Sequence, residues 1–189
     1  VDRLVADGVL ALVTPDGRHY IAGLCPGPSA QDDDLYAAMV LSDVLGDHEG
    51  SRLYWALVET GLADDADFSF YPHDQTGSFM VYASCDPDRA AQVEGILLGE
   101  LQKVLKDGLE DDEVQRSKTK IATSTVLQGE SPMGRMRGLA SRWTYHREYR
   151  TLEEDLAILE AITANQRQDV AAKYAFAPMT LETLLPSRA

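Results

Sequence analysis

The chain is poor in the residues from which several kinds of site are built. It holds 2 cysteines and 4 histidines in 189 residues. Cys25 and Cys85 are too few for a disulfide framework and lack metal-ligand spacing; at the ends of short apolar runs, both are expected as buried free thiols. His19, His48, His73 and His146 are scattered, and no pair stands at the His-x-x-Glu-His spacing that puts two imidazoles on one helix face. Positive charge is scarce too, with 17 basic against 31 acidic residues and a net charge of −14. That balance argues against a phosphate-neutralising surface, so neither nucleic acid nor a membrane is an expected partner. Apolar runs are short, and none approaches the roughly 18 residues of a membrane span. The chain begins at Val1 without the charged and apolar regions of a secretory leader, and we expect it to be a piece of a longer protein. No repeat or low-complexity linker divides it. One lobe over residues 1–189 is the simplest reading, with 1–19 a leading hairpin or linker and 20–185 the body.

What is present is a succession of well-signalled elements. Val9–Val13 and Tyr20–Cys25 flank Pro15-Asp16-Gly17, a strong turn signal, and are expected to pair as a hairpin. The acidic triplet Asp32-Asp33-Asp34 stands where a helix N-terminus favours negative charge, ahead of a helix over about Leu35–Leu45. A second helix is expected over Ser51–Thr60, followed by a Gly61-Leu62-Ala63 exit. Phe68 and Phe70, then Phe79, Val81 and Ala83, alternate as two strands. From Asp86-Pro87 onward the pattern is helical, with one apolar stripe from Val93 to Leu105. Later helices are expected over about Asp111–Gln128, from Ser131-Pro132, over Leu152–Ile162, and from a capping box at Thr163 to Gln166. In the helix after Pro132, Met133, Met136, Leu139, Ala140 and Trp143 are expected to face inward. Thr180–Leu185 reads as a last strand. Hairpins with helices, rather than alternating strand–helix units, indicate an α+β fold.

Three phrases carry a resemblance. They are LGDHEGSRLYWALVETGLAD (Leu45–Asp64), GLEDDEVQRSKTKIATSTVLQGESP (Gly108–Pro132) and LEEDLAILEAITANQRQDVAAKYAF (Leu152–Phe176). In order and spacing they resemble the non-catalytic type of lobe in the pitrilysin/insulinase family of zinc peptidases, which includes the mitochondrial processing peptidases. Each phrase alone is weak; the three together are specific.

The resemblance implies an antiparallel sheet backed by helices on one face, and a clamshell of two such lobes around a substrate chamber. It implies zinc in the partner lobe, on His-x-x-Glu-His, and no cofactor in this chain. The partners it implies are that zinc-bearing lobe and a peptide substrate; a homo-oligomer is also compatible. His48-Glu49 and His146-x-Glu148 are the nearest fragments of the motif here and read as solvated pairs, with a zinc site from His48 and His73 a minor alternative. Partner lobes of active members often carry an Arg and a Tyr near the Gly-Leu-Ala exit, donors to the substrate carbonyl region. The matching positions here hold Val58 and Asp64, at a spacing one residue shorter, and neither can donate. Candidate chamber-facing residues are therefore His48, Arg52, Val58 and Asp64, with pairing of Arg52 to Asp47 or Glu49 the bland reading. Candidate lobe-interface residues are Arg135, Arg142 and Tyr145, in the one basic cluster. The function expected is that of a non-catalytic lobe of a zinc metalloendopeptidase, inactive alone. An interaction or assembly module from a member without peptidase activity is the alternative.

Overall fold

The computed structural model describes residues 2–6, 9–14, 16–47, 49–163, 170–174, 176 and 179–186, with the backbone alone for 2–14. Its strands are β1 (Asp2–Ala6), β2 (Val9–Thr14), β3 (His19–Pro26), β4 (Asp65–His73), β5 (Thr76–Cys85) and β6 (Thr180–Pro186). They form a six-stranded sheet in the order β1-β2-β6-β3-β5-β4. The pairs β1–β2, β6–β3, β3–β5 and β5–β4 are antiparallel, and β2 joins β6 in parallel through Val13 opposite Leu185. The hairpin expected between Val9–Val13 and Tyr20–Cys25 does not form. The last strand of the chain inserts between those segments, and local turn chemistry at Asp16-Gly17 has no means of anticipating a strand so distant in sequence.

Alternation makes the sheet one-sided. Ile21 and Cys25 of β3, Phe68 of β4, and Phe79, Val81 and Ala83 of β5 are buried on one face. Tyr20 and Tyr82 stack on the other, 6.1 Å between ring centres, with Leu24 exposed beside them. The helix α1 (Leu35–Gly46) lies between β3 and β4 in the chain, and α2 (Ala90–Asp107), α3 (Asp111–Glu130), α4 (Pro132–His146) and α5 (Leu152–Glu160) lie between β5 and β6. Residues 170–174 are also helical, while Gln166 and the rest of residues 164–169, on which the capping box expected from Thr163 depends, lie outside the described residues. Val40, Leu41 and Leu45 of α1 and Val93, Leu97 and Val104 of α2 are buried against the apolar sheet face. Phe68, Phe79 and Phe176 pack ring to ring within 5.3–6.0 Å.

Glycine matters at the end of α1. Gly46 bridges to Phe68, and a Cβ on Gly46 would lie 1.9 Å from the Phe68 nitrogen. This contact seals α1 onto the outer edge of β4, where Ser42 Oγ also donates to the Phe68 carbonyl at 2.7 Å. The acidic triplet stands at the start of α1 as expected, with Asp34 at its N-cap, and it has a further use. Asp34 makes no side-chain cap on α1; it accepts from Lys173 at 2.6 Å, and Asp32 accepts from the Tyr174 hydroxyl at 3.2 Å. Both bonds tie the C-terminal helix to the start of α1.

Candidate functional site

The segment from Leu45 to Asp64 is the most distinctive local structure. Ser51 Oγ accepts from the Tyr54 amide at 3.2 Å and starts a helix in which Leu53 and Leu57 are fully buried. Over Tyr54–Val58 that helix widens into a π turn, in which the Glu59 amide reaches the Tyr54 carbonyl at 2.9 Å. The extra residue leaves Trp55 at the surface, 59% exposed. Such turns are rare and recur at functional positions. Gly61, at φ 69°, ends the turn in the left-handed region that glycine enters at least cost.

Arg52 does not pair with Asp47 or Glu49. Its Nε and Nη2 donate to the two Glu113 carboxylate oxygens at 2.8 and 2.7 Å, and Nη2 also reaches the Gly108 carbonyl at 3.2 Å. Glu113 in turn accepts from the Glu110 amide at 2.9 Å, closing a capping box at the start of α3. Burial alone would raise the Glu113 carboxyl; hydrogen bonds from Arg52 and the Glu110 amide, with the guanidinium charge, outweigh it and hold the group below its ordinary value. The hydrogen bond to Glu113 correspondingly raises Arg52. Arg52 thus clasps the π-turn segment to α3.

The other candidates fall in separate places. Val58 packs half-buried against the core. Asp64 accepts from Arg18 at 2.9 Å, and Arg18 also pairs with Asp86. His48 lies outside the described residues, as does any site that would use it with His73; His73 ends β4, exposed.

On α4, Arg142 donates to Asp155 at 2.7 Å and to the Tyr36 hydroxyl at 3.1 Å, while the Tyr36 hydroxyl donates to Asp155 at 2.7 Å. Arg135 Nε donates to the Gly129 carbonyl at 2.6 Å, and Tyr145 is half-buried. The inward-facing stripe expected on this helix is overturned. Met133, Met136, Leu139 and Trp143 are exposed, and no residue of α4 is buried. The helix occupies an outer layer on α3, away from the sheet, held inward by the Arg142–Asp155–Tyr36 latch. An apolar stripe at helical spacing says that a face wants covering, not which body covers it.

Besides the π turn and the Glu110–Glu113 capping box, two features escaped the sequence reading. Thr151 and Glu154 form a capping box on α5, a pattern visible in Thr-x-x-Glu. Lys118 is buried on α3, and no local pattern marks it.

Among the described residues no three His, Cys, Asp or Glu side chains are placed to hold a metal ion, so the described donor set does not fit zinc. Nor is any described helix long and apolar enough to cross a membrane. The family model for the peptidase M16 inactive domain matches residues 9–121. The chain belongs to that family. M16 is the pitrilysin/insulinase family of zinc peptidases, and the inactive domain is its non-catalytic lobe.

Its relatives agree. The chain is 32% identical over 158 residues to an uncharacterized zinc protease of Streptomyces coelicolor, covering 81% of this chain and 33% of the relative. It is 30% identical over 165 residues to an uncharacterized zinc protease of Mycobacterium tuberculosis, covering 86% and 37%. The chain therefore spans about a third of the length of these curated relatives. The fold matches the crystal structure of a peptidase M16 inactive domain from Pseudomonas fluorescens with TM-score 0.81 at 18% identity, covering 95% of this chain and 43% of that one. It also matches a protease from Helicobacter pylori with TM-score 0.80 at 21% identity, covering 96% and 43%.

Proposed function

We propose that this M16 inactive domain forms one half of a peptide-enclosing chamber in a larger zinc metalloendopeptidase. The zinc and the water it activates would belong to a partner lobe, in the same polypeptide or a companion chain. The observation that carries this reading is membership of the inactive-domain family over residues 9–121. The scattered carboxylates and histidines among the described residues support it.

In such an assembly this chain would act by enclosure. It would exclude water from the bound peptide and offer an acidic surface to substrates of opposite charge. Val58 and Asp64 stand where active members carry the donors Arg and Tyr, so transition-state help would come from the partner lobe. The exposed α4 stripe with Arg135 and Tyr145 suits a lobe–lobe contact. Arg142 would support that surface by holding α4 in place. Of the candidate chamber positions His48, Arg52, Val58 and Asp64, the exposed Asp64 is the described one whose side chain would face the chamber, since Arg52 is clasped to Glu113 and Val58 packs on the core.

Zinc content after dialysis, with peptidase activity, measured on this chain and on the full-length parent, tests the proposal. Stoichiometric zinc and activity in the parent, with neither in this chain, are expected. Zinc held by this chain would overturn the reading. A zinc-free, inert parent would instead make the lobe an assembly module.

A further inference from the structure

Between the end of α1 and the face of α3 packed beside it lies a crevice of about 240 Å³. Its wall carries four carboxylates, Asp43 from α1, Asp47 at its C-cap, Glu49 from the loop that follows and Glu113 from α3, beside two cations of α3, Arg116 and Lys120. Ser117 also lines it. That residue is 3% exposed, and its hydroxyl has no hydrogen-bond partner among the described residues. Other α3 hydroxyls turn back onto their own helix, Thr119 to the Gln115 carbonyl and Thr123 to the Thr119 carbonyl. Ser117 does not. A buried hydroxyl left unpaired costs about 1–3 kcal/mol, so a group that enters the crevice and reaches it gains by that contact.

The chemistry of that partner follows from the wall. It must bring donors to several carboxylates, which are spread around the opening and do not converge as a bare metal ion would require. A flat guanidinium or a primary ammonium group, with several N–H donors on one cationic head, has that character. The crevice already holds two such heads of its own: Arg116, which is turned to Asp112 at 2.6 Å, and Lys120. Lys120 pairs with Asp47 and lies 3.5 Å from Asp43, with its side chain 51% exposed. The ammonium end of this pair is open to water while the Asp43 and Asp47 side chains are 19% and 26% exposed, so a competing cationic head reaches the pair from the lysine side. Glu113 is less available, being clasped by Arg52.

We propose that this crevice is a subsite for a guanidinium or ammonium head group, seated against Asp43, Asp47 and Glu49 over the Ser117 hydroxyl, with Lys120 as the internal cation that it displaces. The head group comes either from an Arg or Lys side chain of a peptide or from a free polyamine. The peptide source rests on the chamber function proposed above; binding by the lobe itself does not.

Calorimetric titration of the 189-residue chain at low salt tests it. The probes are an acetylated, amidated Ala-Arg-Ala peptide, its citrulline counterpart and agmatine. Saturable binding of the arginine peptide is expected, with the uncharged citrulline peptide roughly tenfold weaker or worse, one decade of affinity being a modest electrostatic contribution. Lys120→Ala is expected to tighten binding several-fold by removing the competitor. Ser117→Ala, which keeps the fold, should weaken it by about fivefold, the size of one hydrogen bond. Agmatine binding as tightly as the peptide assigns the site to free amines, and preference for the peptide assigns it to a peptide side chain; either upholds the subsite. No saturable binding by the wild-type and Lys120→Ala chains, or equal affinity for arginine and citrulline, overturns it. Those results would leave the chamber function standing, since zinc content and cleavage by the parent are read separately.

Discussion

The Lys118 ammonium donates to the Glu160 carbonyl at 2.7 Å, and its second bond, to Ile162, is 2.8 Å long. Among the described residues it faces no carboxylate but the open C-terminal end of α5, whose carbonyls carry the negative end of the helix dipole. A buried cation from α3 therefore holds α5 in place.

Removing it should be costly. Lys118→Ala leaves buried carbonyls without donors and is expected to destabilise the chain by about 2–3 kcal/mol, the range for hydrogen bonds to charged groups. Urea denaturation monitored by circular dichroism reads the change. A loss below about 0.5 kcal/mol, the ordinary effect of a surface substitution, would mean that α5 is held by its apolar residues alone.

The Arg52–Glu113 clasp has side chains only 17% exposed on either partner. Arg52→Ala strands a half-buried carboxylate, with an expected cost of about 2–4 kcal/mol, somewhat below that of a fully buried pair. The Glu113 carboxyl is lowered in the folded chain, so its contribution is present above the ordinary carboxylate value of 4.5. It is lost as pH falls through the folded value. Denaturation midpoints of wild type and Glu113→Gln should converge as pH drops below about 4, where ordinary carboxylates protonate. A constant gap between them would show that Glu113 stays charged or contributes only by shape.

The exposed stripe on α4 makes the opposite prediction. Trp143→Ser and Met136→Lys should each change the stability of the isolated chain by no more than about 0.5 kcal/mol, because neither side chain is buried. Arg142→Ala, which breaks the latch to Asp155 and Tyr36, should increase hydrogen exchange throughout α4. A Trp143 variant that unfolds the lobe would place that ring in the core after all.

Cys25 lies on the buried face of β3, and burial pushes its thiol up to about 11. At pH 8 the native chain should react with a thiol reagent orders of magnitude more slowly than the urea-unfolded chain, since only the thiolate attacks. Rapid labelling of native Cys25 would mean that β3 opens locally.

Element types were legible where a pattern is complete within one segment. The Phe68–Ala83 alternation predicted β4 and β5, and Ser131-Pro132 predicted the start of α4, where Ser131 Oγ accepts from the Gly134 amide at 2.9 Å. The start of α2 slipped because Asp86-Pro87 first makes a 3-10 turn over Pro87–Arg89. The π turn at Tyr54–Val58 was invisible, since one extra residue in a turn changes no residue type. The site was less legible than the fold. Arg52 was singled out from the Ser-Arg-Leu phrase, but its partner Glu113 stands far along the chain on another helix.

What the sequence by itself determined is the family, the α+β class and the burial of one sheet face, because these follow from order, spacing and alternation along a single strand of text. The tertiary structure alone decided that β6 enters between β2 and β3, that α4 turns its apolar stripe outward, and that Lys118, Arg52 and Ser117 meet the groups or the space they do. Those outcomes depend on which bodies come together across large sequence separations. Backbone pairing and ion pairs are open to many partners until packing selects one.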